Sequence, residues 1–495
     1  MMNLIDVLEK NSEGKNGDKT FIFYDDKRYS FKNTLNLINQ TCNFFLDLKL
    51  KKKDIISLIL ENSIEFVILY FASMKYGLIV NPSPTYLSKV EIIKNINTIR
   101  PKKIFCSTDI IFLKKSHKNV NKTFIIDNKF NFLKSIKNFS TKFKKIKINS
   151  ENTAVLYYSS GSTGKPKLIK MSHRAIFNSQ KIQRKSTLMY SGERHLCILP
   201  LAHTSSLRST LKFCLFNHRS IFLYKNYWSI KNNILDIIKK NKITFVQTVP
   251  SILSMMSAMY SNNINVQNKI KTMKFVACGS SYLSQEIANK FINIFNIPIV
   301  NIYGLSETCA ISMTNYKDKN YTLNSVGKIL PGIKYKILNE KNKKCRIGEP
   351  GELCVKTPAI FNGYQNQKIN KFDLKKYFKT GDIFTADNKN YLNYIERKKN
   401  IIIKSGINIS AKEIDEVIFK SKFVNDTFTT SKNDLFHGEV PLCYIVPKQK
   451  DFDLAKLILF CKKRIGEFKV PAHFKIIKKI PRSPTGKIQY SLLES

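Results

Sequence analysis

The stretch from Tyr158 to Lys167, Y-S-S-G-S-T-G-K-P-K, constrains this chain more than any other. Gly161 and Gly164 permit backbone conformations and close approaches that a Cβ would block, so successive amide N–H groups can converge on one anion. Ser159, Ser160, Ser162 and Thr163 add hydroxyl donors, and Lys165 and Lys167 add mobile positive charge. The apolar run Ala154 to Tyr158 predicts a buried strand that ends in this loop. A kinase-type P-loop is excluded, because G-x-x-x-x-G-K-[ST] needs glycine at 159 and a hydroxyl at 166, where the chain has Ser159 and Pro166. A flexible Gly/Ser turn is the plain alternative to a phosphate cradle, and such a turn does not require the two lysines.

With 495 residues the chain is long enough for two or more domains, and a hydrophobic content of 43% supports a globular protein. No apolar run reaches the roughly 18 residues that span a bilayer. Asp6, Glu9 and Glu13 occupy the N-terminal stretch where a signal peptide needs an apolar core. The expectation is a cytoplasmic protein without a transmembrane segment. Ten cysteines without a C-x-x-C pair or regular spacing argue against a disulfide framework or a zinc site. A formal charge of +47 ordinarily points to nucleic acid or an anionic membrane. Here only 11 of the 83 basic residues are arginine, and the 72 lysines are spread over the whole length among abundant Asn and Ile. A nucleic-acid site concentrates arginine and aromatics on one face, so no specific nucleic-acid partner is expected, and a nucleic-acid-binding protein is the alternative of another class.

From Thr20 to Ser107 short apolar runs alternate with helical patterns: Ile55 to Leu60 and Leu78 to Val80 as strands, Ile64 to Tyr76 as a helix. This is the βαβ rhythm of a parallel sheet. Lys114 to Asn152 is lysine-rich and weakly patterned, and is expected to be a surface excursion. The rhythm resumes with strands at Leu196 to Leu199 and Phe245 to Val249 and a helix at Ser251 to Tyr260, whose Met255, Met256 and Met259 are expected to pack in the core. Past Lys344, Gly348 to Leu353 and Phe361 to Tyr364 suggest short strands and turns, and the polar run Glu396 to Asn400 marks the domain boundary. About a hundred residues follow it, enough for a small α+β domain.

A second constellation, Asn301-Ile302-Tyr303-Gly304-Leu305-Ser306-Glu307-Thr308, follows the apolar run Ile297 to Val300. At a strand end Tyr303 offers a face for a purine, Ser306 a donor to phosphate, and Glu307 a hard oxygen ligand for Mg²⁺. Alone, this stretch also reads as a capped helix start. Two further motifs follow in order, Y-F-K-T-G-D at Tyr377 to Asp382 and P-R-S-P-T-G-K at Pro481 to Lys487. Together with S-V-G-K-I-L-P-G at Ser325 to Gly332, C-G-S-S-Y-L at Cys278 to Leu283 and G-I-N-I-S-A-K-E-I-D at Gly406 to Asp415, their order and spacing resemble the adenylate-forming superfamily of acyl-CoA synthetases, peptide-synthetase adenylation domains and luciferases. The resemblance covers essentially the whole chain.

That resemblance implies an α/β fold: a large multi-subdomain domain over residues 1–396 with parallel-type sheets and helices, a hinge at 397–400, and a small mobile α+β cap over 401–495. Lys399 matches the hinge, Asp382 and Arg397 the pair that holds the ribose hydroxyls, Gly279 and Ser280 the segment lining adenine and acyl group, and Lys487 the catalytic lysine. Asn301, Tyr303, Gly304 and Ser306 belong to the nucleotide-binding motif, with Glu307 on Mg²⁺. The implied chemistry is attack of a carboxylate on the α-phosphorus of MgATP to give acyl-AMP and pyrophosphate, then attack of a pantetheine thiol on the acyl-AMP carbonyl. Lys165, Lys167 and the loop hydroxyls hold the β- and γ-phosphates, and Lys487 bridges carboxylate and α-phosphate. The acceptor is coenzyme A, or the phosphopantetheine of an acyl carrier protein in the alternative reading.

In Pro200-Leu201-Ala202-His203-Thr204-Ser205, His203 stands where amino-acid-activating relatives usually carry an aspartate. The resemblance therefore narrows to an acyl or aryl synthetase acting on a small carboxylic acid, with His203 beside the acyl pocket. Leu168, Tyr377, Ser306 and Ala411 replace the usual glycine, tryptophan, threonine and proline, and none removes a reacting group. Ile302 replaces a glycine common among acyl and aryl relatives and narrows the pocket, which favours a short, medium or aromatic acid lacking an α-amino group.

Overall fold

The structure is a computed structural model that describes residues 3–107, 123–126, 131–159, 167–186, 193–261, 266–365, 376–405, 407–449, 451–465, 467–483, 488–489 and 492–493. The chain packs as two compact units: one of Met1–Leu323, Leu330–Ile333 and Thr357–Lys375, the other of Asn324–Ile329, Lys334–Lys356 and Lys376–Ser495. The division at 397–400 remains a proposal beside this partition.

The first unit holds two sheets. In one, the strands run Thr123–Ile126, Lys103–Ser107, Ile55–Ile59, Ile79–Pro82, Thr153–Ser159, Lys167–Ser172 from edge to edge. Every pair is parallel except the last. The other contains Cys309–Met313, Ile299–Leu305, Phe275–Gly279, Phe245–Thr248, Arg194–Cys197, Ser220–Leu223, Thr20–Tyr24 and Lys27–Ser30 in that order. Its interior pairs are parallel and the pairs 299–305/309–313 and 20–24/27–30 antiparallel. The expected α/β class is therefore present, with the parallel strands buried on both faces as their near-continuous apolar sequences require.

The helix Ile64–Tyr76 shows why the local readings hold. Ser63 caps it by accepting from the Phe66 N–H, and Gly77, at φ +87°, ends it in the left-handed region. Except for Glu65 all of its residues are buried, so it is apolar all round because it is covered on all sides. The excursion expected from Lys114 to Asn152 is in part a correction. Thr123–Ile126 adds a parallel strand beside Lys103–Ser107. Residues 137–142 are held by side-chain amides of the helix Phe31–Asp47: Asn39 Nδ2 donates to Thr141 O at 2.7 Å, Gln40 Nε2 to Lys137 O at 2.9 Å, and Asn43 Nδ2 to Ser140 O at 2.8 Å. Amide clamps leave no apolar periodicity to read. Of the three methionines expected in the core, Met256 is buried and Met255 partly so, whereas Met259 is exposed.

The second unit carries an antiparallel sheet of Lys334–Leu338, Gly351–Lys356, Phe378–Ala386 and Leu392–Arg397. A further sheet runs Ile407–Ser410, Ile401–Lys404, Gly438–Pro447, Val424–Asp434, with His473–Ile476 parallel to 438–447. Helices Ala411–Lys420 and Leu454–Ile465 cover it through Ile414, Ile418, Leu457 and Cys461, against Ile402, Ile409 and Ile445. None of the ten cysteines is in a disulfide, and among the described residues no helix is long and apolar enough to cross a membrane.

The Asp415 carboxyl is enclosed between the helix Ala411–Lys420 and the strand Val424–Asp434, where Thr429 Oγ1 donates to it at 2.7 Å and Thr427 Oγ1 at 3.3 Å. Burial raises its pKa from 3.8 to about 7, outweighing those hydrogen bonds. The folded state then holds a proton that the unfolded chain has lost between about pH 4 and pH 7, so this group's contribution to stability falls as pH rises through that window. Asp415→Asn, which copies the protonated form, should be more stable than the wild type at pH 8 by on the order of 2 kcal/mol and indistinguishable at pH 4. Urea denaturation at both pH values measures the difference, and equal stabilities at pH 8 would contradict the assignment.

Candidate active site

Thr153–Ser159 pairs antiparallel with Lys167–Ser172, and Ser159 is the register partner of Lys167. The described residue after the glycine- and hydroxyl-rich stretch therefore begins a strand, whereas a kinase P-loop leads into a helix, in agreement with the sequence. Ser160, Gly161, Ser162, Thr163, Gly164 and Lys165 lie outside the described residues, as does Lys487. Lys167 lies within them, with its Nζ 5.0 Å from the centre of the Tyr364 ring.

The strand Ile299–Leu305 carries Asn301, Tyr303 and Gly304, and turns through Ser306-Glu307-Thr308 into its antiparallel neighbour Cys309–Met313. The motif expected at a strand end is thus mostly strand, and it leads into a second strand, not a helix. The register slips between Tyr303 and Gly304, a bulge that redirects the side chains after it. Gly304 is required there, since a Cβ would collide with the Cys309 carbonyl oxygen and lie 2.8 Å from Ala310 Cα. The Asn301 N–H donates to Thr314 Oγ1 at 2.8 Å, and Thr308 Oγ1 accepts from the Leu305 N–H at 3.4 Å.

Glu307 is fixed from two directions. Its carbonyl accepts from the Phe361 N–H at 2.8 Å, and its Oε1 accepts from the Tyr364 hydroxyl at 2.9 Å. Residues 361–364 are in turn laid along the loop hairpin by Asn362 N to Lys170 O at 2.7 Å and Lys170 N to Gly363 O at 3.0 Å. Tyr364 therefore links Lys167, at the end of the loop, to Glu307. Among the described residues no cluster of three or more His, Cys, Asp or Glu gathers to hold a metal. One half-buried carboxylate fits Mg²⁺, which keeps most of its shell in water and phosphate oxygens.

His203 heads the helical stretch Thr204–Phe216, within which Leu207–Lys212 is a π-helix, a form frequent at functional sites. The Tyr86 hydroxyl and His203 Nε2 are hydrogen-bonded at 2.5 Å. Thr204 Oγ1 donates to Ser306 Oγ at 3.3 Å, and the Ser205 and Ser280 hydroxyls meet at 3.2 Å. Ser280 follows Gly279 with φ +70°, and a Cβ on Gly279 would stand 2.7 Å from Ile302 O. The structure thus joins His203, Ser280, Ser306 and Glu307, which are spread over a hundred residues of sequence. The turn before His203 is stapled by Asn62, whose Nδ2 donates to Leu199 O at 3.0 Å while its Oδ1 accepts from the Leu201 N–H at 2.7 Å.

In the second unit Asp382 and Arg397 are cross-strand partners, with Arg397 Nε 3.3 Å from the buried Asp382 carboxylate. Gly381, at φ +74°, lies in the irregular register of the strand Phe378–Ala386 against Gly351–Lys356, its N–H donating to Glu352 Oε1 at 3.1 Å; Glu352 Oε2 also pairs with Lys398 at 3.1 Å. Lys399 lies in the 3₁₀ turn Lys398–Asn400. Burial and the neighbouring Arg397 lower its pKa to about 8 against the opposing pull of Asp382. Glu396, kept above the usual carboxylate range by burial, accepts from the Lys412 N–H at 2.7 Å and Ser410 Oγ at 3.2 Å, which ties the turn to the start of the helix Ala411–Lys420. Tyr364, Asn62, Glu352 and Glu396 were not singled out in the sequence; all four act through partners distant in the chain or through backbone atoms.

The chain belongs to the AMP-binding enzyme family, which it matches over residues 8–365, with the family's C-terminal domain over 413–487. Among curated relatives it is 25% identical over 484 residues to a 2-succinylbenzoate–CoA ligase of Bacillus pumilus, covering 97% of this chain and 95% of the relative. It is 22% identical over 485 residues to 4-coumarate–CoA ligase-like 2 of Arabidopsis thaliana, covering 93% and 85%. Among solved structures, ATP-bound MatB from Rhodopseudomonas palustris superposes with a TM-score of 0.89 at 21% identity, covering 99% of this chain and 98% of that one. The o-succinylbenzoate CoA synthetase of Bacillus subtilis, in complex with its acyl-adenylate intermediate, gives 0.84 at 22%, with the same coverage.

Gly304→Ala should force the hairpin register to shift, at a cost of about 1–3 kcal/mol, and lower the thermal midpoint by roughly 1–4 °C. Differential scanning calorimetry measures it, and an unchanged midpoint would show that the close approach to Cys309 does not matter.

Proposed function

We propose that this chain is an AMP-forming carboxylate:CoA ligase. It activates a carboxylic acid with ATP to an acyl-adenylate, releases pyrophosphate, and passes the acyl group to the thiol of coenzyme A. The observation that carries the reading is the joining of the acyl-side residues His203 and Ser280 to the hairpin residues Ser306 and Glu307 through Thr204 and Ser205. The CoA-ligase names of the relatives, over nearly their full length, support it.

Such an enzyme mainly positions its reactants and stabilises charge. Glu307, held by Tyr364, would hold Mg²⁺, which supplies positive charge to the phosphates when bound. Ser306 would donate to the α-phosphate, and Lys167 with Ser159 to Lys165 would hold the β- and γ-phosphates. Tyr303, Gly304, Asn301, Gly279 and Ser280 would line the adenine and acyl group, and Asp382 with Arg397 the ribose hydroxyls. One buried acceptor beside one fixed guanidinium suits a diol. Lys487 would bridge the acid's carboxylate and the α-phosphate. Ten cysteines, none of them in a disulfide, support a reducing, cytoplasmic setting.

ATP–pyrophosphate exchange across fatty, aryl and amino acids tests the first half-reaction, and exchange with free amino acids alone would overturn the acyl or aryl assignment. Offering coenzyme A and a holo-carrier protein side by side tests the second: thioester on the carrier alone would replace the CoA reading by a carrier-loading one.

Lys487→Ala should suppress adenylation by about 10²- to 10³-fold while sparing thioester formation from supplied acyl-AMP. Lys399→Pro should do the reverse, because a fixed φ in the 397–400 turn obstructs rotation of the C-terminal residues between the two half-reactions. Equal losses of both half-reactions in both variants would refute a hinge at Lys399.

A further inference from the structure

Among the described residues, four lysines and arginines are buried: Lys75, Arg174, Arg208 and Lys212. Two have a carboxylate partner, Lys75 with Glu9 at 2.6 Å and Arg174 with Glu151 at 2.7 Å. Arg208 and Lys212 have none among the described residues, although they are 5% and 3% exposed and sit one turn apart on the same π-helix. Their surroundings are neutral. Lys212 Nζ is bonded to the Tyr157 hydroxyl at 2.9 Å and lies 5.4 Å from the centre of the Tyr70 ring. Arg208 lies against the Cys309 thiol, which also meets Ser179, and its Nε has no hydrogen-bond partner. Burial lowers the pKa of Lys212 to about 7. Two adjacent buried basic groups with no carboxylate beside them among the described residues are costly to charge unless an anion joins them.

The position of the pair says which anion. The helical stretch that carries it starts at His203, and its Thr204 and Ser205 touch Ser306 and Ser280. Cys309 lies two residues beyond Glu307. At about 1.5 Å of rise per residue, Arg208 stands roughly 7 Å past His203 along the axis, the span of a short diacid or of an aromatic acid with an anionic substituent. The ATP phosphates are assigned above to the loop of residues 158–167.

We propose that Arg208 and Lys212 receive a second carboxylate on the acid that is activated, so that the substrates are dicarboxylic acids of which one carboxylate reacts and the other is held by this pair. The assignment rests on the adenylating reading above and narrows it. A guanidinium donating in a fixed fork and an ammonium beside it suit one carboxylate, and leaving them unpaired discriminates against acids that lack it.

The test is ATP–pyrophosphate exchange with matched acids: butanoate against succinate, hexanoate against adipate, benzoate against isophthalate. At least one diacid should exceed its monocarboxylic partner in kcat/KM by about 10²-fold or more. Arg208→Met and Lys212→Met should each narrow that ratio toward one, and Arg208→Lys should retain more of it than Arg208→Met. The preferred diacid should also raise the thermal midpoint of the wild type, which requires no folded variant, and inorganic phosphate or chloride at the same concentration should not. Exchange with monocarboxylates at equal or higher kcat/KM, or equal stabilisation by the inorganic anions, would overturn the diacid assignment and leave adenylation standing. Exchange with none of the acids would overturn the adenylating reading and the assignment with it.

Discussion

The close approach of two backbones at Gly304 and Cys309 underlies the site in the first unit. A parallel sheet can end its strands in loops, but here the strand Ile299–Leu305 folds back into Cys309–Met313 with a slipped register, which no side chain at 304 would tolerate. The slip sets the turn Ser306-Glu307-Thr308 at the ends of these two strands, where the Glu307 backbone takes Phe361 and its side chain takes Tyr364. Because residues 361–364 are laddered onto Lys167–Ser172, the same turn is tied to the strand that follows residues 160–166. One backbone constraint thus coordinates groups that are distant in sequence.

The candidate chemistry follows from how these groups are held. Hydroxyls meet hydroxyls at Thr204–Ser306 and Ser205–Ser280, so the donors are pre-oriented and carry no net charge of their own. Charge enters through Lys167, Glu307, Asp382 and Arg397, each with a fixed neighbour. Preorganised dipoles near a reacting phosphate need no rearrangement as negative charge builds, which is the largest contribution such an enzyme makes. In the second unit the Asp382–Arg397 pair is backed by Glu352, which accepts from the N–H of Gly381, the residue preceding Asp382 in its strand, and holds Lys398.

Much of this was legible in the sequence, for physical reasons. Ile64–Tyr76 was read to the residue because cap, apolar content and terminal glycine agree. The strand before the phosphate loop was read from its apolar run, and the exclusion of a kinase-type loop agrees with the hairpin found. The hairpin at Cys309 was not read, since a bulge and an antiparallel return leave no periodic signal. Tyr364, Asn62 and Glu352 were missed because each works across long sequence separations. The amide clamps on 137–142 were missed because side-chain-to-backbone bonds have no hydrophobic signature. The burial of Arg208 and Lys212, without a carboxylate partner among the described residues, could not be seen among so many basic residues until burial separated those two from the rest.

The central claim is that one site first makes an acyl-adenylate and then discharges it to a thiol, and a rapid-quench single turnover tests it most directly. With enzyme in excess over ATP, an acid found active in exchange and no thiol, pyrophosphate should appear together with an equal amount of enzyme-bound acyl-AMP. Adding coenzyme A should convert that acyl-AMP to acyl-CoA and free AMP at equal yield. Release of inorganic phosphate in place of pyrophosphate, or acyl-AMP that persists unchanged after coenzyme A is added, would contradict the account.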